Sequence, residues 1–238
     1  METINAPLAS FFELSDSDIV VILDTNILLD ILEKRNKKVT DFYKKCLLPF
    51  NKKGIITLGT TIYNIAEVLD KELELNFQME LLKRRLTADE IIRTSRNRQQ
   101  LSREINNMNE ELREKFYKKI NNKLRTILRN TKIFGLDEIT PDDYAILHDL
   151  ILNGHLQSQD AMIVLTTYKA REYSSISSLI TKDGYLVDSP LVNRYIEVYH
   201  PLRNKDVESF LEAISTIKAD QQTLKMVEKI KRSLEVLK

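Results

Sequence analysis

Four acidic side chains stand where a predicted sheet and its helices would bring them together. Asp24 directly follows residues 19–23 (IVVIL), an aliphatic run typical of a strand buried on both faces. Asp183 follows the strand-like SLITK, Glu67 lies in the helical pattern TTIYNIAEVLD, and Asp160 falls in the first turn of SQDAMIVLTTYKA. Clustered carboxylates repel one another unless a cation compensates, and oxygen ligands suit Mg²⁺ or Mn²⁺. The pattern therefore predicts a divalent-metal site.

The chemistry that fits such a site is phosphoryl transfer. A divalent ion activates water and neutralises charge that develops on the attacked phosphate and the leaving oxygen. Asn26 and Thr181 are polar neighbours of the acids, and we expect them to orient ligands or water. Ser158 is predicted to cap the helix that carries Asp160.

The elements that must position these acids alternate between strands and helices. Such alternation predicts an α/β fold with a mostly parallel sheet, whose strands all present their carboxyl ends at one edge. A helix with a capping box is predicted from Thr140 to Gly154. The predicted strands are residues 19–23, 55–58, 178–181 and 195–199.

Residues 71–132 contain no glycine or proline, so nothing in them interrupts helix formation. A capping box from Thr87 to Glu90 divides them, and a stripe of apolar residues from 101 to 127 predicts one long second helix. We expect residues 71–132 to form an inserted, charged helical hairpin. The α/β domain would then be discontinuous, covering 1–70 and 133–203, with two amphipathic C-terminal helices in 204–238.

Composition places the chain among soluble globular proteins. Of its 238 residues, 42% are apolar and 30% are charged, enough for one large domain or a domain with an insertion. The single cysteine, Cys46, excludes intrachain disulfides and thiolate zinc sites. Since neither a leader pattern nor an apolar run of about 20 residues is found, we expect a cytoplasmic protein.

Positive charge is concentrated in the predicted hairpin. Residues 71–132 hold about 16 Lys and Arg against about 9 Asp and Glu, whereas the whole chain is near neutral at +1. The hairpin is the best candidate for binding a polyanion. The alternative is that its charged residues only form a solvent-exposed helix surface. A third reading is a homodimer interface or a site for an inhibitory protein. The predicted nucleic-acid-binding residues are Arg93, Arg96, Arg98, Arg103, Lys118, Lys119 and, beside the acids, Lys182.

The segments VILDTNILLD, TTIYNIAEVLD, SQDAMIVLTTYKA and LITKDGYLV, in this order, resemble the four signature segments of the PIN-domain nucleases. The resemblance implies a PIN-like α/β/α sandwich and hydrolysis of RNA phosphodiester bonds with Mg²⁺ or Mn²⁺, leaving a 3′ hydroxyl and a 5′ phosphate. It assigns Asp24, Asp160 and Asp183 as ligands of a first metal. Glu67 would assist a second metal or orient the water.

The family includes ribonuclease toxins of toxin–antitoxin pairs and RNA-processing endonucleases, so a toxin or defence role and an antitoxin partner are expectations of the resemblance. The long charged hairpin departs from compact toxin members, which leaves substrate and partner open. Asp188 is a candidate for a further acid. The alternatives are an inactive PIN-like scaffold that binds nucleic acid or protein, and a DNA-directed 5′ nuclease.

Overall fold

A central sheet of five parallel strands organises the chain, with strand order β3-β2-β1-β4-β5. The computed structural model describes residues 11, 14, 19–83, 87, 89–90, 103, 105, 107–136 and 138–235. The strands are β1 (Ile19–Leu23), β2 (Thr57–Thr61), β3 (Lys132–Phe134), β4 (Ile176–Ile180) and β5 (Glu197–Tyr199). The predicted α/β class with a parallel sheet is therefore confirmed.

Helices connect the strands and cover the sheet. Two π-helical turns, Tyr43–Leu47 and Asp149–Asn153, extend the helices before them. The helices are α1 (Thr25–Glu33), α2 (Lys37–Phe42), α3 (Leu48–Lys52), α4 (Ile62–Lys83), α5 (Glu110–Leu128), α6 (Pro141–His148), α7 (Ser158–Arg171), α8 (Gly184–Asp188), α9 (Val192–Tyr195), α10 (Asn204–Ile217) and α11 (Gln221–Glu235).

The sheet is buried on both faces, which gives the α/β/α layers. All five residues of β1 are buried, and their side chains alternate between two cores. Val21 packs with residues of α1, α4, α5 and the C-terminal helices, whereas Val20 and Ile22 pack with α6, α7 and α8 on the opposite face. The uninterrupted aliphatic run of β1 is thus explained by burial on both sides.

Three strand predictions need correction. The strand predicted at 178–181 is β4 at Ile176–Ile180, and the strand predicted at 195–199 is limited to Glu197–Tyr199 because Tyr195 ends α9. The predicted strand at residues 55–58 is displaced, because Ile55 and Ile56 are buried in the bend before β2 and the strand continues to Thr61. Gly59, which directly follows the predicted strand, lies inside β2 opposite Ile22. Sequence reasoning missed β3 altogether, since three residues are too short to show a period.

The inserted hairpin has two antiparallel arms, α4 and α5. Lys119 contacts Asn76 and Lys123 contacts Glu72, so rising numbers on α5 meet falling numbers on α4. Between the two arms, the Thr87–Glu90 capping box is present. The predicted single helix from 101 to 127 is wrong, because Asn109 caps a new helix that begins at Glu110.

The C-terminal helices α10 and α11 lie against one face of the sheet. Phe210 and Ile214 of α10, with Val227 and Ile230 of α11, join the core that contains Val21. Leu224 of α11, in contrast, is exposed. Among the described helices, none combines the length and apolar character needed to cross a membrane.

Candidate functional site

The site lies where the order of the sheet reverses. β1 stands between β2 and β4, so the connections from β1 and β4 leave in different directions and open a crevice at the strand carboxyl ends. Asp24 comes directly after β1, and Asp183 lies three residues beyond the end of β4. Their helices α1 and α8 start at this edge, with Asp24 and Asp183 as N-caps.

Asp24 is held by three donors in a buried position. Its side chain is part of a residue only 6% exposed, and its Oδ1 accepts the Thr25 backbone N–H at 2.7 Å. Oδ2 accepts from the Asn26 amide at 2.5 Å and from the Thr181 hydroxyl at 2.6 Å. Asn26 also donates to Thr181 Oγ1 at 2.9 Å, and its Oδ1 accepts the Lys182 N–H. Asn26 and Thr181 thus hold the Asp24 carboxylate in place, and the orientation of metal ligands or water by these residues stays a prediction.

Glu67 lies on the second turn of α4 and is bound by three side chains. Its Oε2 accepts from the Thr25 hydroxyl at 2.7 Å and from the Gln159 amide at 2.8 Å, and its Oε1 contacts the Lys71 ammonium. Sequence reasoning missed Thr25, Gln159 and Lys71. Thr25 and Gln159 each stand beside a predicted acid, but nothing in their spacing relates either of them to α4.

Asp160 and Asp183 have fewer hydrogen-bond partners at their carboxylates than Asp24 and Glu67. Asp160 is half-buried in the first turn of α7, and no described residue donates a hydrogen bond to its carboxylate. Asp183 is exposed, and its Oδ1 accepts the Tyr185 N–H at 2.8 Å. The Tyr185 hydroxyl donates to Gly154 O, which ties the Asp183 turn to the segment before α7.

Ser158 does not cap α7, contrary to the sequence expectation. It is the first residue of the helix, and Gln157 holds the N-cap position without a side-chain hydrogen bond. Leu156, just before this cap, is buried in the core that contains Val20 and Ile22.

Electrostatics show that the four carboxylates are neighbours. Burial raises the pKa of Asp24 to about 6 against the hydrogen bonds from Thr181 and Thr25, and Glu67 and Asp160 add to the rise. Burial also raises the pKa of Asp160, with further contributions from Asp183 and Glu67, while Lys71 opposes the rise. Each acid therefore lies within electrostatic reach of at least one other.

The possible ligands are of the type that a hard divalent ion prefers, because they are all carboxylate oxygens. The pKa of one of these carboxyl groups, Asp24, is raised. Across the part of the chain that the structure describes, however, no three Asp, Glu, His or Cys side chains stand at the distances of one shared ion. The four carboxylates influence one another electrostatically without converging on a point. The metal stays a prediction.

Several predicted nucleic-acid contacts are engaged elsewhere or fall outside the described residues. Arg93, Arg96 and Arg98 lie outside them, and Arg103 is exposed. The ammonium groups of the predicted lysines contact Glu114 (from Lys118, 2.8 Å), Asn76 (from Lys119, 2.6 Å) and Asp30 (from Lys182, 2.5 Å). Asp188 forms a two-pronged ion pair with Arg203, whose guanidinium is the main cause of the lowered pKa of Asp188.

Comparisons with known proteins add little to this description. No protein-family model and no curated protein matches the chain. Among solved structures, it is similar to a chain in the crystal structure of VapBC2 from Rickettsia felis bound to a DNA fragment from their promoter. The two chains are 12% identical over 76% of this chain and 98% of that one, with a TM-score of 0.42. At that score the likeness carries no argument, and the site rests on its own geometry.

Proposed function

We propose that the chain is a metal-dependent endoribonuclease of the PIN type. The observation that carries the proposal is the group of four acids at the point where the strand order reverses, one of them buried with a pKa raised to about 6. Such an arrangement costs folding free energy in the absence of a cation, so a bound divalent ion would relieve it. The order of the signature segments supports the same reading.

In this proposal Asp24, Asp160 and Asp183 are the candidate ligands, although no three acids of the described residues stand close enough in this structure to share one ion. When bound, a divalent ion supplies Lewis-acid polarisation of the phosphate and neutralises charge at the leaving oxygen. Asn26 and Thr181 keep Asp24 in one orientation through the bonds to its Oδ2. Glu67, oriented by Thr25 and Gln159, accepts a hydrogen bond from the attacking water and so positions it.

The test is cleavage of labelled single-stranded RNA and of DNA of the same sequence, with Mn²⁺ or with EDTA. The proposal expects RNA to be cut in Mn²⁺ and neither substrate to be cut in EDTA. Cleavage of DNA alone would assign a DNA-directed nuclease, and cleavage of neither, with RNA still bound, would assign a binding scaffold.

Asp24→Asn is the decisive variant. Cleavage should be lost because a ligand of the ion is removed, while the fold is kept because charge repulsion is relieved. The matched control is Asp188→Asn, which removes an exposed carboxylate already paired with Arg203. Equal cleavage by Asp24→Asn and the wild type would remove Asp24 from the mechanism.

A further inference from the structure

A basic cleft lies between α11 and the turn that follows α3. Its volume is about 470 Å³, and α11 supplies most of its lining. The lining residues of α11 recur every four residues in two adjacent rows, so they share one face of the helix. The lining side chains are Lys53, Gln221, Gln222, Lys225, Met226 and Lys229.

The positive charge of this cleft has no counter-charge among the described residues. No carboxylate of the described part of the chain pairs with Lys53, Lys225 or Lys229. Residues 42–66, which include Lys53, hold four Lys and no Asp or Glu. Glu228 lies on α11 but is not one of the lining residues. The three ammonium groups are therefore available to an anion from outside the chain.

The described part of the hairpin, where the sequence predicts a polyanion site, differs from this cleft. Lys118 contacts the Glu114 carboxylate, and Lys119 contacts the side-chain oxygen of Asn76. These contacts lower the positive charge that the hairpin offers to a ligand. Sequence reasoning missed the cleft, because its two walls are more than 160 residues apart in the chain.

Both walls of the cleft are fixed by contacts within the fold. Met226 packs against the core that contains Val21. On the other wall, Lys53 is the C-cap of α3, and its backbone N–H donates to Pro49 O at 3.2 Å. Lys218, the residue after α10, donates from its ammonium to Gly54 O at 3.3 Å. The cleft is therefore a preformed feature of the fold.

The cleft and the four acids belong to opposite edges of the sheet. Lys53 and Gly54 come before β2, at the amino end of this strand, whereas Asp24 follows β1 at the carboxyl edge. The five residues of β2 span about 16 Å. A ligand in the cleft would thus be bound separately from the acids.

Unpaired ammonium groups suit the phosphates of a nucleic acid. Lysine binds phosphate as a point charge, and the amides of Gln221 and Gln222 are donors for phosphate or sugar oxygens. Sites for small molecules are mostly apolar, but Met226 is the one apolar residue of this lining. We propose that the cleft binds the phosphodiester backbone of a single-stranded nucleic acid, whatever its base sequence. This site goes beyond the proposed function, since it needs neither the acids nor an ion.

The test is binding of a labelled single-stranded RNA of mixed sequence in EDTA, followed by fluorescence anisotropy at several salt concentrations. The double variant Lys225→Gln/Lys229→Gln should bind more weakly than wild type. The slope of the logarithm of the binding constant against the logarithm of the salt concentration should become shallower by about 1.4, or about 0.7 for each lost phosphate contact.

The matched control is Lys37→Gln/Lys38→Gln. It removes the same charge from two exposed lysines at the start of α2. They are separated from Lys53 by the helical run from Lys37 to Lys52, which is about 24 Å long. This variant should keep the wild-type slope. Thermal unfolding of both double variants should match that of wild type, because all four lysines are exposed.

Three results would overturn the proposal. An unchanged slope in the cleft variant would make its lysines a solvated surface, and an equal change in both variants would mean that net charge alone acts. Displacement of the RNA by inorganic tripolyphosphate at equal phosphate concentration would assign a small polyanion instead. Because EDTA excludes cleavage that depends on a divalent ion, each result is independent of the proposed nuclease activity.

Discussion

Asp24 is subject to opposing demands. Three hydrogen-bond donors hold its carboxylate in place and favour the charged form, while burial and the charges of Glu67 and Asp160 favour the neutral form. The net effect favours the neutral form, because it raises the pKa of Asp24 from the ordinary 3.8 to about 6. A nearby cation would reverse the balance, and this makes Asp24 the most informative single residue of the site.

This balance predicts how stability depends on pH in the metal-free protein. Because the folded-state pKa of Asp24 lies above its unfolded value, this group contributes stability below pH 4 and loses it as the pH rises through about 6. The full loss is about 3 kcal/mol of the free energy of unfolding. Asp24→Asn removes that titration. The unfolding free energy of this variant should therefore fall less between pH 4 and pH 7 than that of the wild type.

Urea unfolding in EDTA at several pH values measures this effect. Wild type and Asp24→Asn should differ in slope between pH 4 and pH 6 and run parallel above pH 7. Parallel curves throughout would mean that Asp24 titrates in its ordinary range and that its burial is relieved in solution.

At the scale of elements, sequence reasoning succeeded where one local signal sufficed. The β-branched run of β1 stops at Asp24, and the Thr140–Asp143 capping box starts α6 as predicted. Sequence reasoning failed where tertiary contacts determine which residues are buried or paired. Thr60 and Thr61 are polar yet buried in β2, since Thr60 donates to Leu23 O, and β3 exists because it pairs with residues 59–61.

A substitution at Gly59 would test how closely β2 packs against Phe134 and Ile22. A Cβ there would lie 2.5 Å from Phe134 Cε2 and 2.8 Å from Ile22 Cδ1, so both side chains would have to move. Gly59→Ala should therefore lower the free energy of unfolding by about 1–3 kcal/mol. Gly184→Ala is the control, because its Cβ would meet nothing closer than 3.4 Å.

Chemical denaturation of both variants distinguishes the outcomes. We expect a clear loss of stability for Gly59→Ala and a change within about 0.5 kcal/mol for Gly184→Ala. Equal stability of the Gly59 variant and wild type would show that Phe134 and Ile22 have room to shift.

At the scale of the whole molecule, a largely buried ionic contact joins α5 to α1 and α4. Lys123 of α5 contacts Glu33 at the end of α1 and Glu72 of α4, with 2.9 Å to Glu72 Oε2. Burial raises the pKa of Glu72, Glu33 adds to the rise and Lys123 opposes it. The sequence reveals a charged hairpin but not this contact, because its three residues come from separate helices.

Lys123→Met should be strongly destabilising, since it leaves the fully buried Glu72 without a cation. We expect a loss of about 3–5 kcal/mol in the free energy of unfolding. Lys119→Met is the control one turn earlier, where the lost partner is the neutral Asn76. Replacing Glu72 by Leu in the Lys123→Met background should restore most of the loss, and a failure to do so would contradict the ionic explanation.

The continuity of α4 has a mechanical consequence. Its 22 residues form a rod of about 33 Å that carries Glu67 near one end and the hairpin residues Phe77 and Leu81 near the other. Glu72, paired with Lys123, lies between them. A displacement at the Phe77 and Leu81 end of α4 would therefore reach Glu67 through one continuous helix, past the ion pair at Glu72.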